Sequence, residues 1–331
     1  MKVVIDNAIP YIKGILEPFA EVIYRNGSDF LSHEVADADV LIIRTRTRCD
    51  EALLHDSRVK MIATATIGFD HIDLDYCAAH GIKVVTAAGC NAAGVLQWVA
   101  AALVLLAADE GWRPKDKTLG IVGVGNVGSL VEEYARAWGF RVLRCDPPRC
   151  QREGGDFLPL EKIVEQSDII TFHTPLDPKT FHMIDEHLIS LMRPDAIIIN
   201  ASRGEVASTK ALLHATQRLC IDVWEQEPAI SQELLAKAFI ATPHIAGYSA
   251  QGKANASAIV IDAIARECGL PLRGWYPAKV TPARRQAIGW DEMCQTIADY
   301  CDLSAESTLL RLSPEAFETL RNNYNYREEY F

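Results

Sequence analysis

Three polar side chains sit just beyond predicted strands, in Asn200-Ala201-Ser202-Arg203-Gly204, in Asp222-Val223-Trp224-Glu225-Gln226-Glu227-Pro228 and in Pro243-His244-Ile245-Ala246-Gly247. In an open α/β sheet the position after a strand is the ligand-facing end. A guanidinium at Arg203 can bind a carboxylate through two parallel hydrogen bonds while polarising an adjacent alcohol or carbonyl oxygen. An imidazole at His244 with Glu227 as partner gains a fixed tautomer and a favoured protonated form, which makes a general acid/base near neutral pH. Hydride transfer from a secondary alcohol needs such a base, and the reverse reaction needs the acid. Each residue also has a plain structural reading. Arg203 could serve an ion pair, His244 could be a structural histidine at a strand end, and Glu227 could be a solvated turn carboxylate with Glu225 as the rival partner.

A hydride needs an acceptor, and the run Gly123-Val124-Gly125-Asn126-Val127-Gly128 supplies a place for one. The Gly-x-Gly-x-x-Gly pattern is weak alone, but here it follows the apolar run Leu119 to Val122 and opens a helix. Val127, Leu130, Val131, Tyr134, Ala135 and Trp138 recur at spacings of three and four, so one stripe packs on a sheet. Gly123 permits a tight turn, Gly125 lets backbone approach a pyrophosphate, and Gly128 allows close helix–strand packing. The amides of Asn126 and Val127 then open the helix at the anion. The next strand, Arg141 to Cys145, ends at Asp146, eighteen residues after Gly128. A carboxylate there accepts hydrogen bonds from ribose hydroxyls and repels a 2′-phosphate, which favours NAD over NADP. Arg149 tempers that preference, because a nearby guanidinium can accommodate a phosphate.

These residues need elements to hold them. Val3 to Ile5, Val40 to Ile43, Met61 to Ile67 and Lys83 to Ala87 read as strands, with a helix at Asp73 to His80 closed by Gly81. A second series starts at Leu119 and continues through Ile169 to His173, Ala196 to Asn200, Leu219 to Val223 and Phe239 to Ala241. Near-continuous apolar runs suit parallel strands covered on both faces. The fold class expected is α/β, two Rossmann-like parallel-sheet domains with a smaller C-terminal segment. The expected boundaries are 1–92 plus 247–269 for a substrate-binding domain, 93–246 for the dinucleotide domain and 270–331 for the last segment. The apolar stretch Ala92 to Ala108 is slightly short for a membrane span and reads as a buried helix connecting two domains.

Composition narrows the function classes. At 331 residues, with 49% apolar residues and a formal charge of −11, the chain suits a sizeable core and disfavours nonspecific nucleic-acid or anionic-membrane binding. An anionic substrate would therefore need a local basic site. Arg44, Arg46 and Arg48, alternating after a strand, are candidates to bind a substrate phosphate, with a solvated strand edge as the equal alternative. Nine scattered cysteines without a Cys-x-x-Cys suit reduced thiols in a cytoplasmic setting and give no support to a metal site. No signal peptide is read at Met1-Lys2-Val3-Val4-Ile5-Asp6.

The order Gly-x-Gly-x-x-Gly, Asn-Ala-Ser-Arg-Gly, Asp-Val-Trp-Glu-x-Glu-Pro, Pro-His-Ile-Ala-Gly resembles that of the D-isomer-specific 2-hydroxyacid dehydrogenases over roughly residues 40 to 265. The resemblance implies that Arg203 binds the substrate carboxylate, His244 is the acid/base and Glu227 orients it. It further implies that Asp222 faces the nicotinamide carboxamide and that Thr174, Ala201, Ser202 and Gly247 line the cofactor. Narrower stretches, Ala63 to His71, Ala88 to Ala92, Cys145 to Arg149, Ile245 to Tyr248 and Phe317 to Tyr324, are similar to the branch that oxidises 4-phospho-D-erythronate with NAD in pyridoxal phosphate biosynthesis. That branch implies a phosphorylated small 2-hydroxy acid as substrate, contacted by Thr45, Thr66 and Tyr248. It also implies a homodimer through the C-terminal segment, reduced here because the stretch from Leu270 to Phe317 is compact. Two readings stay open beside it: a related enzyme acting on 3-phosphoglycerate or glyoxylate, and a non-catalytic NAD-responsive binding protein.

Overall fold

The computed structural model describes all 331 residues and contains two wholly parallel sheets. The first holds β1 (Lys2–Asp6), β2 (Glu21–Arg25), β3 (Val40–Ile43), β4 (Met61–Thr64) and β5 (Lys83–Thr86), in the order β2-β1-β3-β4-β5. The second holds β6 (Thr118–Val122), β7 (Arg141–Cys145), β8 (Ile169–Phe172), β9 (Ile197–Asn200), β10 (Arg218–Ile221) and β11 (Ile240–Ala241), in the order β11-β10-β9-β8-β6-β7. Strands β3, β4, β8 and β9 are buried at every residue. A strand covered on both faces must be apolar throughout, which is why these four read as continuous hydrophobic runs. The edge strand β2, Glu-Val-Ile-Tyr-Arg, is only half-buried and has no such run, so the sequence pattern did not disclose it.

In the second sheet β6 lies between β7 and β8, so the chain runs from β6 outward to β7 on one side and then returns to β8 on the other. The loop after β6 is therefore at the topological switch point, where ligands bind in open α/β sheets. The helix Asn126–Trp138 starts there and buries Leu130, Val131, Tyr134, Ala135 and Trp138, which is the stripe expected from their spacing. The helix Ala92–Glu110 is buried along most of its length, and Trp98 within it is fully covered. Its hydrophobicity belongs to a protein core.

Contacts divide the chain into residues 1–91 with 250–282, and 92–249 with 283–331. The segment 270–331, expected as a unit of its own, is shared between the two. Leu270, Leu272 and Trp275 pack on the core of the first sheet with Val3, Ile5 and Val260. Ile288, Trp290, Met293, Ile297 and Phe331 instead complete a core with Trp112, Tyr134, Trp138 and Phe140 in the second unit. Apolar residues this bulky lose more free energy in water than a short segment can recover by packing on itself, about 1.5–3 kcal/mol per buried side chain. The segment is therefore absorbed by existing cores. The helix Ala92–Glu110 is counted with the second unit and begins at the residue where the chain enters it from the first.

Candidate active site

The glycine loop is built from close backbone approaches. Gly123 has φ +83°, and a Cβ there would lie 2.7 Å from the His173 carbonyl oxygen. A Cβ on Gly128 would lie 2.0 Å from the Gly123 carbonyl oxygen, so only glycine lets the helix start against its own strand. Gly125 faces open space, with nothing within 4 Å of a built Cβ. Asn126 and Val127 form the first turn of the helix, whose leading N–H groups have no intrahelical acceptor. Asp146 holds the loop from the end of β7: one carboxylate oxygen accepts the Val124 N–H at 2.8 Å and the other accepts the Arg149 N–H at 2.8 Å. The Arg149 side chain is committed to the Val124 carbonyl at 2.8 Å, the Ser129 hydroxyl at 3.0 Å and Glu153 at 2.8 Å. At the end of β8, the Thr174 hydroxyl is buried without a hydrogen-bond partner. An open glycine, unpaired helix-opening amides and an orphaned hydroxyl on adjacent strand ends fit a dinucleotide.

Beyond β9, the Asn200 amide organises the turn that presents Arg203. Its oxygen accepts from the Ser202 N–H at 3.1 Å and hydroxyl at 2.7 Å, and its nitrogen donates to the Arg203 carbonyl at 3.0 Å. Ala201 is half-buried and Ser202 is buried. The Arg203 guanidinium donates to the Ser202 carbonyl at 2.7 Å. Gly204 is forced, since a Cβ there would be 2.0 Å from the Trp224 carbonyl oxygen.

The stretch after β10 and β11 forms one network. Asp222 is buried, and its carboxylate accepts from the Thr242 hydroxyl at 2.6 Å, the Ile245 N–H at 2.8 Å and the Ala246 N–H at 2.9 Å. Thr242 in turn accepts the Trp98 indole N–H at 3.1 Å. Asp222 thereby fixes the loop that follows His244, a positioning part that the sequence reading did not assign to it. Burial pushes the Asp222 carboxyl up, against the opposing pull of His244 and its three donors.

Glu227 and His244 meet: Glu227 Oε2 is 2.7 Å from His244 Nδ1, and Glu227 Oε1 accepts the Trp224 N–H at 2.9 Å. Burial pushes the Glu227 carboxyl up, but His244, the Trp224 amide and Arg321 outweigh it and hold the group below its ordinary value. An ionised Glu227 has no proton to give, so His244 Nδ1 carries one and Nε2 is left as the atom that exchanges a proton. His244 has φ +57° and Gln226 φ +61°, left-handed backbone that non-glycine residues seldom take. The rival carboxylate Glu225 is engaged elsewhere, with His182 at 2.7 Å and the Thr209 N–H at 2.6 Å.

Gly247 and Tyr248 continue the same loop, and the Tyr248 N–H donates to the Ile245 carbonyl at 2.8 Å. The Tyr248 hydroxyl accepts from Arg321 Nε at 3.1 Å. Arg321 Nη1 is also 3.5 Å from Glu227 Oε2. Arg327, buried, donates to the carbonyls of Ile245 at 3.1 Å, Gly94 at 2.8 Å and Ala246. Neither arginine was singled out from the sequence. Their only signal was that Arg321 falls within the Phe317 to Tyr324 stretch used for the narrower resemblance.

In the first unit Thr66 is half-buried, with its hydroxyl 2.6 Å from that of Thr64 and donating to the Gly68 carbonyl at 3.2 Å. Thr45 is exposed in the turn after β3. The alternation of Arg44, Arg46 and Arg48 does not place them on one strand face, because β3 ends at Ile43 and the Thr47 N–H closes a turn on the Arg44 carbonyl at 3.2 Å. Arg44 pairs with the buried Asp6 at 3.0 Å, Arg48 pairs with Asp50 at 2.8 Å, and Arg46 is exposed.

Residues 97–246 match the D-isomer specific 2-hydroxyacid dehydrogenase NAD binding domain. Over 340 residues, 99% of this chain and 97% of the relative, the chain is 46% identical to the erythronate-4-phosphate dehydrogenase of Bacteroides thetaiotaomicron. The chain belongs to the erythronate-4-phosphate dehydrogenase family. Two crystal structures share its fold. The 3-phosphoglycerate dehydrogenase of Entamoeba histolytica with bound NAD+ has a TM-score of 0.67 at 26% identity, covering 83% of this chain and 98% of that one. The D-lactate dehydrogenase of Aquifex aeolicus with NAD and lactic acid has a TM-score of 0.66 at 25% identity, covering 82% and 96%.

Proposed function

We propose that the chain oxidises 4-phospho-D-erythronate to (R)-3-hydroxy-2-oxo-4-phosphooxybutanoate with NAD, a step toward pyridoxal 5′-phosphate. The observation that carries this reading is the Glu227–His244 pair at 2.7 Å, in a chain related over nearly its full length to dehydrogenases named for that substrate. When bound, the nicotinamide accepts the hydride released from C2. His244 Nε2 takes the hydroxyl proton, Glu227 stays ionised and keeps Nδ1 protonated, and Arg203 binds the substrate carboxylate. The amides at Gly125, Asn126 and Val127 receive the pyrophosphate, while Asp146 accepts from the ribose. Thr174, Ala201, Ser202, Asp222 and Gly247 line the cofactor. Thr45, Thr66 and Tyr248 offer hydroxyls to the substrate. The protein works in the cytoplasm as a homodimer that uses residues of the C-terminal segment.

The test is turnover of 4-phospho-D-erythronate with NAD, with and without a 2-oxo acid acceptor, beside 3-phosphoglycerate under the same conditions. Preference for the erythronate ester is expected, and His244→Asn should lower turnover about 10²–10⁴-fold. Preference for 3-phosphoglycerate, or a folded His244→Asn protein with unchanged rate, overturns the substrate or the residue assignment respectively.

A further inference from the structure

Arg321 stands on the helix Phe317–Asn322, far along the chain from the strand ends that carry the chemistry, and it reaches two of their residues at once. Its Nη1 lies 3.5 Å from Glu227 Oε2, the same oxygen that meets His244 Nδ1 at 2.7 Å. Its Nε donates to the Tyr248 hydroxyl at 3.1 Å, and its guanidinium carbon is 6.0 Å from the Tyr248 ring centroid. Tyr248 is flanked edge-on by Tyr324 and Tyr326, so the ring that Arg321 meets is itself held in place. The helix is itself anchored, since Phe317 is buried in the core of the second unit.

We propose that Arg321 is a positioning residue of the Glu227–His244 pair, sharing Glu227 Oε2 with the imidazole so as to orient the carboxylate and oppose a second positive charge on the ring. The proposal rests on the acid/base assignment made above. A lone Glu–His pair stabilises the imidazolium through the full charge of the carboxylate. A permanent cation on that oxygen competes with the imidazole for the carboxylate's field and fixes which way the carboxylate faces. The charged and titratable groups around the pair are few. Asp222 is coupled to His244 from the end of β10, Arg321 to Glu227 from the C-terminal helix, and Tyr248 to Arg321 from the loop after His244; Arg327 meets the following carbonyls of Ile245 and Ala246. The Arg321 guanidinium is pushed down by burial and pushed up more strongly by Tyr248, Glu227 and Asp222, so it stays charged while the pair titrates.

Two substitutions separate charge from shape. Arg321→Gln removes the charge and keeps an amide donor for Tyr248; Arg321→Lys keeps a charge with a different donor geometry. The readout is the NMR titration of the His244 imidazole in the whole chain without substrate, followed by the pH profile of kcat/KM for oxidation. Arg321→Gln should raise the His244 midpoint by about one pH unit, the size of effect expected from one nearby charge, and move the acid limb of kcat/KM the same way. Arg321→Lys should restore both to within about 0.3 unit of the parent. A Gln variant that titrates like the parent overturns the proposal, and so does a Lys variant that shifts as far as Gln. The NMR titration needs no turnover. Failure of the parent to oxidise 4-phospho-D-erythronate therefore rejects the functional reading, and an unmoved midpoint rejects the role of Arg321.

Discussion

The glycine loop 123–128 and the C-terminal stretch 317–331 both serve the strand ends of the second unit, but by opposite means. The loop acts through backbone, within six consecutive residues, where a missing Cβ decides what fits. The tail acts through long side chains that cross large sequence distances: Arg327 reaches carbonyls 81, 82 and 233 residues away, and Arg321 reaches Tyr248 from 73 residues on. A function written into local backbone leaves a spacing that can be read. A function delivered by reach leaves only a residue type.

The loop is where the contrast breaks most sharply under substitution. Gly128→Ala places a Cβ 2.0 Å from the Gly123 carbonyl, and neither backbone can move without shifting β6 or the helix. We expect a loss above about 4 kcal/mol, or no folded protein, measured by urea denaturation. Gly125→Ala meets nothing within 4 Å, so its stability should stay within about 1 kcal/mol of the parent. Its NAD affinity should nevertheless fall at least about tenfold, or about 1.4 kcal/mol. Wild-type affinity in Gly125→Ala would take that glycine out of the cofactor site.

The tail should respond in a graded way. Arg327→Met removes the donor to three buried carbonyls and to the Tyr324 hydroxyl at 3.2 Å. Each carbonyl left without a partner costs about 1–3 kcal/mol, offset by no longer dehydrating a guanidinium whose Nε already lacks an acceptor. We expect a net loss of about 2–4 kcal/mol in urea denaturation, with a raised KM for NAD because Ile245 and Ala246 lead into Gly247. A loss below about 1 kcal/mol would mean that the Asp222 carboxylate alone fixes that loop.

The same distinction separates what was legible in the sequence from what was not. The buried strands β3, β4, β8 and β9 announced themselves because full burial demands near-continuous apolar runs, whereas the edge strand β2 carries polar ends and stayed hidden. The Glu227 and His244 positions are visible as types beyond strands, yet only the fold decides that Glu225 turns to His182 instead. Period-two reasoning failed at Arg44 to Arg48 because it presumes an extended chain, and the chain turns there. The segment 270–331 reads as separate because a break at Gly269-Leu270-Pro271 precedes it, its strand signal is poor and the family resemblance implies a dimerisation domain there. Its tryptophans and leucines are in fact matched to three existing cores, a pairing that no local pattern encodes.

The finest comparison lies in Glu227, whose acidity is set from near and from far: by His244 in its own neighbourhood and by Arg321 from the tail. Burial alone would raise its carboxyl above the ordinary 4.5, and these partners with the Trp224 amide bring it below. A carboxyl lowered by folding contributes stability that is fully present above the unfolded value and is lost as pH falls through the folded one. Between pH 6 and about 3, Glu227→Gln should therefore show a flatter decline of unfolding free energy than the parent, read from urea curves at each pH. The difference between variant and parent isolates this one group from the other carboxyls. In an Arg321→Gln background the same difference should shrink, since one of the lowering charges is gone. If it keeps its full size there, the hold on Glu227 comes from His244 and Trp224 alone, and the tail's guanidinium contributes reach without field.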